Sequence, residues 1–207
     1  MRSKVVELEQ AVAAVKDGQT ILFGDWHGEI SAEEVITGVI EKGVKDITAV
    51  AVSGGMPDQG VGRMIVAKQV KALKTTHIGL NPVARDQMLA GELDVEFIPQ
   101  GTFAERIRGG CLTPTGVGTD VEKGKQKLTI NGKEYLLELP IHGDVALIKA
   151  EKADTYGNVK FRLTGRATNS YMCYAADCVI VEVEELVEPG ELDPDEIDIP
   201  APVVDMI

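Results

Sequence analysis

The chain has 207 residues, enough for one sizeable core or two small ones. A net charge of -12 argues against a general nucleic-acid surface, because phosphates need Lys and Arg, although backbone N–H groups can still hold an anion locally. Apolar residues make up 44% and aromatics only 4%, so the core must rest on Val, Ile, Leu, Ala and Met.

No apolar h-region follows Met1-Arg2-Ser3-Lys4, and no run is long enough to cross a bilayer, so a cytoplasmic protein without membrane contact is expected. Cys111, Cys173 and Cys178 form neither a metal-ligand spacing nor a disulfide framework, and no metal is expected. Cys173 and Cys178 read as small core residues, and Cys111, beside a glycine pair, as more exposed.

Leu8, Val12 and Val15 recur at helical spacing, and Gly18 stops that helix. Thr20 to Phe23 is a short apolar strand whose exit is Gly24-Asp25-Trp26-His27-Gly28. Ser31 and Glu34 have capping-box spacing ahead of the stripe Val35, Ile36, Val39, Ile40, and Gly43 ends the helix. Ile47 to Val52 is a buried strand that breaks at Ser53-Gly54-Gly55. A helix over 61–68 leads to a strand over 71–77. A helix over 82–89, with Pro82 in its first turn, leads to the strand Val95 to Ile98. Strands alternating with short helices predict an α/β fold, a mostly parallel sheet with helices on both faces.

The segment Pro99 to Gly110 then joins a strand end to a short helix, with Thr102 and Glu105 at capping-box spacing, and the polar loop Leu112 to Thr119 follows. A site at the carboxyl edge of a parallel sheet has this local architecture. Lys127 to Ile130 and Lys133 to Leu137 alternate around Asn131-Gly132, which predicts a β-hairpin insertion over 125–139 with Lys125 and Lys127 on a solvated face. Val145 to Lys149 is a buried strand, Asp154 to Asn158 a turn, 168–176 a helix and Cys178 to Val183 a strand. The Pro- and acid-rich tail from Glu188 to Asp205 should run extended over the surface or a partner. No linker interrupts the pattern, so 1–207 is read as one domain carrying the hairpin insertion.

An ordered set of motifs resembles the A (alpha) subunit of family I coenzyme A transferases of the 3-oxoacid, acetate and butyrate–acetoacetate type. The set includes Lys16-Asp17-Gly18, Glu41 to Thr48, Gly91 to Val95, Pro99 to Gly110, Asp144 to Ala150, Asp154 to Asn158 and Gly190 to Ile197. The resemblance implies an enzyme that moves CoA from an acyl-CoA to a short-chain carboxylic or 3-oxo acid, as in fatty-acid or ketone-body metabolism. It implies covalent catalysis by a glutamate through a mixed anhydride and a glutamyl–CoA thioester. That glutamate belongs to the B (beta) subunit, so the implied assembly is an A–B pair, doubled into an A2B2 heterotetramer. CoA and acyl-CoA are then substrates, with no permanently bound cofactor. Glu105 is tempting as a nucleophile, but a capping relation to Thr102 is its blander account.

By the same resemblance, Gln100 matches a glutamine that hydrogen-bonds the reacting carbonyl, and an amide donor suits an oxygen that gains charge during acyl transfer. Ser53 stands where relatives carry an asparagine at the acyl site, with Gly54 beside it. Gly24, Trp26 and His27 replace a glycine-rich stretch. His27 is either a donor to a carboxylate or an interface or surface histidine; Trp26 is either pocket wall or packing. Between Gly110 and Leu112 relatives have a longer glycine-rich loop, here only Cys111. Gly109, Gly110, Thr113, Thr115, Gly116 and Gly118 are candidate substrate contacts, which a folded turn would explain almost as well.

Two other readings stay open. One keeps the fold but changes the reaction to CoA-thioester hydrolysis or carbon–carbon cleavage, with His27 positioning water. The other is a non-catalytic nucleotide or sugar-phosphate module, against which Gly60-Val61-Gly62 does not continue as a dinucleotide fingerprint and no P-loop lysine occurs.

Overall fold

A computed structural model describes residues 2–207. The chain runs α1 (Leu8–Ala14), β1 (Thr20–Gly24), α2 (Glu33–Lys42), β2 (Ile47–Val50), α3 (Val61–Val66), β3 (Val70–Thr75), α4 (Pro82–Leu89), β4 (Asp94–Phe97) and α5 (Gln100–Arg108). It continues through β5 (Cys111–Thr113), β6 (Lys127–Ile130), β7 (Lys133–Glu138), β8 (Gly143–Asp154), β9 (Val159–Lys160), α6 (Asn169–Met172) and β10 (Ala176–Val187).

The main sheet has the order β10-β8-β1-β2-β3-β4, every neighbouring pair parallel, with β9 antiparallel on β8. Alternation along β1 divides the core between the two faces. Ile21 and Phe23 join Ile36, Val39, Ile47 and Leu73 on one face. Leu22 joins Val50, Phe103, Ile148, Phe161 and Met172 on the other. The expected parallel sheet with two covered faces is the one observed.

Several local expectations are corrected. Ser31 and Glu34 do not form a capping box: α2 starts after Ala32, and the buried Ser31 hydroxyl donates to Gly28 O at 2.8 Å. The orphan N–H groups of Glu34 and Val35 donate to Glu182 Oε2 from β10, at 2.9 and 3.1 Å. A carboxylate at a helix N-terminus also suits the helix dipole. Thr102 does not cap either. Pro99, with φ -53, opens the helical turn three residues earlier, so Thr102 lies buried inside α5.

The hairpin at Asn131-Gly132 forms, but β5 pairs with β7 and makes it a three-stranded antiparallel sheet that begins at Cys111. Lys125 is not on a solvated face; its ammonium lies 2.7 Å from the buried carboxylate of Glu138. The expected helix over 168–176 shrinks to α6, preceded by a 3-10 turn over Leu163–Arg166. β8 and β10 are each 12 residues long, beyond their apolar runs, because alternating charges pair across them, as in Lys152–Glu185 at 2.7 Å. The tail makes two 3-10 turns and tucks Ile199, Ala201 and Val204 into the core. Its end adds to β10, where Val181 N donates to Met206 O at 2.9 Å.

Candidate functional site

Strand order reverses direction of growth at β1: β2, β3 and β4 follow on one side, β8 and β10 on the other. Ligands of open parallel sheets bind outside the carboxyl ends at such a switch point. Four strand exits lie along that edge. β1 leaves through Gly24-Asp25-Trp26-His27-Gly28, β2 runs on to Ser53-Gly54, β3 to His77, and β4 to Pro99 and Gln100.

The β1 exit is a tight reversal in which Trp26 and Glu29 exchange both backbone hydrogen bonds at 3.0 Å. His27 sits at its tip in the left-handed region, φ 60. The ring of His27 neighbours both Trp26, at 4.9 Å between centroids, and His77, at 5.1 Å. Among the described residues, His27 Nδ1 is buried without a partner. His77 carries no obvious motif; only its place after an apolar strand signals it.

Ser53 is fully buried, bridges to His77 in parallel register and accepts from Gly55 N at 3.2 Å. Gly54 donates its N–H to His77 O at 2.9 Å, and its carbonyl accepts from Asn81 Nδ2 at 2.9 Å. Asn81 also caps α4 through Val83 N and Ala84 N, so one buried amide ties the β2 exit to that helix. Gln100 is exposed as the first residue of α5, two strands from the Ser53 exit and one from His77.

Asp25 is a residue that sequence reasoning passed over. Its side chain is buried, Oδ1 has no partner among the described residues, and Oδ2 accepts from Ser31 Oγ at a long 3.5 Å. Burial pushes its carboxyl up to about 7, against the smaller opposing effect of the Ser31 hydroxyl. The sole signal was an acid between an apolar strand and the chain's single tryptophan.

The glycines and threonines further along are placed differently. Gly109 and Gly110 both donate to Glu105 O and end α5. Gly110, φ 86, passes so close to β7 that a Cβ would lie 2.7 Å from Glu138 O. Gly110-Cys111-Leu112 therefore leads straight from helix to β5, with Cys111 opposite Glu138. Burial, then the carboxylates of Glu138 and Glu105, push the Cys111 thiol up, the wrong direction for a thiolate nucleophile. Thr113 Oγ1 accepts from Thr115 N at 3.1 Å, Gly116 O accepts from Thr119 Oγ1 at 2.7 Å, and Gly118 N donates to Glu122 Oε2 at 2.6 Å. These four residues thus belong to the small sheet and its turn, not to the β1–β4 edge. Glu105 is exposed on α5, and no helix cap occupies it.

A doubly covered parallel sheet with polar side chains at its switch-point edge defines an α/β protein with its candidate site at that edge. The chain belongs to the coenzyme A transferase family, whose model matches residues 5–207. It is 44% identical to the alpha chain of acetate CoA-transferase from Escherichia coli strain K12 over 213 residues, covering 100% of this chain and 97% of that one. It is 40% identical to the alpha chain of acetoacetyl-CoA:acetate/butyrate CoA transferase from Clostridium acetobutylicum, covering 100% of this chain and 98% of the relative. Among solved structures it is similar to an acyl-CoA transferase of Escherichia coli O157:H7 in a thioester complex with CoA. The TM-score is 0.86 at 22% identity, over 99% of this chain and 46% of that one. Glutaconate coenzyme A-transferase from Acidaminococcus fermentans has a TM-score of 0.85 at 22% identity, over 99% and 74% of the two chains. The chain thus spans nearly all of the curated relatives but less than half of the first solved chain, and the likeness to both solved structures is one of fold.

Proposed function

We propose that this chain is the alpha subunit of a two-component CoA-transferase that moves CoA from an acyl-CoA to a short-chain carboxylic or 3-oxo acid. The observation that carries the reading is the end-to-end match, at 44% and 40% identity, to chains named as the alpha components of such enzymes. The partner is a beta subunit that brings the nucleophilic glutamate, in an A2B2 assembly working in the cytoplasm.

The division of labour fits the geometry. Asp25 is buried and held toward its neutral form, so it is a poor nucleophile. Gln100, exposed at the β4 exit, has an amide N–H free to donate to a carbonyl oxygen as it gains charge. The β1 and β2 exits form the adjoining wall. The beta subunit would close the site from the open side and bring the carboxylate that attacks the thioester.

The test is co-expression with a beta subunit, followed by an assay of thioester exchange over a panel of acids. Exchange by the pair and none by the lone chain is the expected result. Release of free CoA without an acceptor acid would identify a hydrolase instead. Glu105→Gln should leave exchange within about twofold; its abolition would move the nucleophile onto this chain.

A further inference from the structure

We propose that His27 and His77 form an anion-binding pair that receives a second carboxylate on the acyl group, which makes the preferred acid a dicarboxylate. The inference rests on the CoA-transfer reading above and deepens it by naming the substrate class.

Topology brings the pair together. His27 lies at the β1 exit and His77 at the β3 exit, with β2 and its Ser53-Gly54 turn between them. Their rings nevertheless approach to 5.1 Å between centroids, and Trp26 also lies 4.9 Å from His27. The His77 backbone is pinned, its carbonyl accepting from Gly54 N at 2.9 Å and from Thr75 Oγ1 at 3.3 Å. Both rings are only partly buried, so they stay within reach of a ligand at the edge.

Neither histidine of the pair is committed to a carboxylate among the described residues. In a chain of net charge -12, His142 has a carboxylate neighbour, Asp177 at 2.9 Å. His27 and His77 form no ion pair among the described residues. Of the two acids two residues from His27, Asp25 is turned to Ser31 and Glu29 is exposed to solvent. Burial, then the facing His27, push the His77 imidazole below its ordinary value, a balance that an arriving carboxylate reverses. Imidazole N–H groups donate well to carboxylate oxygens. β4, which delivers Gln100, adjoins β3 on the side away from β1. His77 leaves β3, one strand from β4, and His27 leaves β1, three strands away, so a carboxylate held between the two rings would be the end of the acyl group away from the carbonyl that Gln100 addresses.

Two measurements test this. In the reconstituted complex, the ratio of kcat/KM for glutarate or succinate over butyrate should fall about tenfold or more in His77→Gln and in His27→Gln, the loss of one charge-assisted contact. An unchanged ratio, or equal losses with both acids, overturns the proposal. Independently of turnover, imidazole 15N and 1H shifts of the wild-type complex are followed during titration with glutarate, butyrate and adenosine 3′,5′-bisphosphate. A saturable shift of His27 and His77 with glutarate alone is expected. A shift with the bisphosphate but not glutarate would make the pair a CoA phosphate contact, and no shift with any anion would refute it. If the complex exchanges no CoA, the function fails while the titration still decides the anion site.

Discussion

Arg106 in α5 lies 3.7 Å from the carboxylate of Glu138 in β7, which is buried at 2% exposure, and the same guanidinium pairs with Glu96 of β4. Its Nε also donates to Leu139 O at 2.9 Å. The helix that starts with Gln100 is therefore tied at once to the parallel sheet and to the small one. Removing Arg106 leaves Lys125 as the only cation at Glu138 among the described residues and takes the guanidinium donor from Leu139 O. Arg106→Ala should cost roughly 3 kcal/mol in urea unfolding. It should also lower kcat by loosening Gln100. Arg106→Lys should recover little, because a compact ammonium lacks the planar fork that reaches Glu96, Glu138 and Leu139 O at once.

The same cluster sets an acid limit. Burial alone would raise the Glu96 carboxyl, but hydrogen bonds from Lys74 and Arg106 outweigh it and hold the group below its usual 4.5. A carboxylate whose folded pKa is depressed stabilises the fold above the unfolded value, and this is lost as pH falls through the folded one. In Glu96→Gln the stability–pH curve below about 4.5 should be flatter than in the wild type, in circular-dichroism melts across pH 3–6.

Asp25 acts in the opposite sense. Its folded pKa of about 7 stands above the model-compound 3.8, so the folded state binds the extra proton between those values. Its contribution is most favourable below about 4, declines as pH rises to about 7 and is flat beyond. Asp25→Asn keeps the shape without the charge. At pH 8 the variant should be more stable than the wild type, by ~1–4 kcal/mol, and the gap should close toward pH 4. A gap independent of pH would mean that Asp25 is ionised in the folded state.

If Gln100 supports the developing oxyanion as proposed, Gln100→Ala should reduce kcat by ~10- to 1000-fold with little change in melting temperature, since the side chain is exposed. Equal stability and equal kcat would remove Gln100 from the chemistry.

The sheet was readable because apolar strands and glycine stops repeat: Ile21 to Phe23, Ile47 to Val50 and Val145 to Ile148 announce themselves. Helix starts were less so. The box at Ser31 and Glu34 is a local pattern, yet the cap comes from Glu182, some 150 residues on, which no window sees. Lys125 looked solvated because Glu138, its buried partner, lies across a hairpin. At the candidate site, Gln100 was singled out through its motif and His27 through its unusual loop. His77 was missed because parallel pairing, not sequence distance, brings it to His27. Thr113, Thr115, Gly116 and Gly118 looked alike as loop contacts and as turn residues; the hydrogen bonds place them in the turn.

Gly24 separates a ligand role from a packing one. A Cβ built there would lie 2.1 Å from Asn169 Oδ1 and 2.9 Å from Ile148 Cδ1. That amide oxygen accepts from Lys149 N at 3.2 Å, and its Nδ2 donates to Gly165 O at 3.0 Å, so α6 is latched to β8 across the glycine. Close approach of α6, rather than of substrate, accounts for the absent side chain. Gly24→Ala should destabilise the fold by ~1–3 kcal/mol through overpacking. Much of that loss should disappear in Gly24→Ala with Asn169→Ser, where the shortened side chain makes room, even though Asn169→Ser alone costs stability by freeing Lys149 N. A double-mutant cycle in chemical denaturation reads the coupling, expected at ~1 kcal/mol or more. Additive losses would leave Gly24 to the ligand.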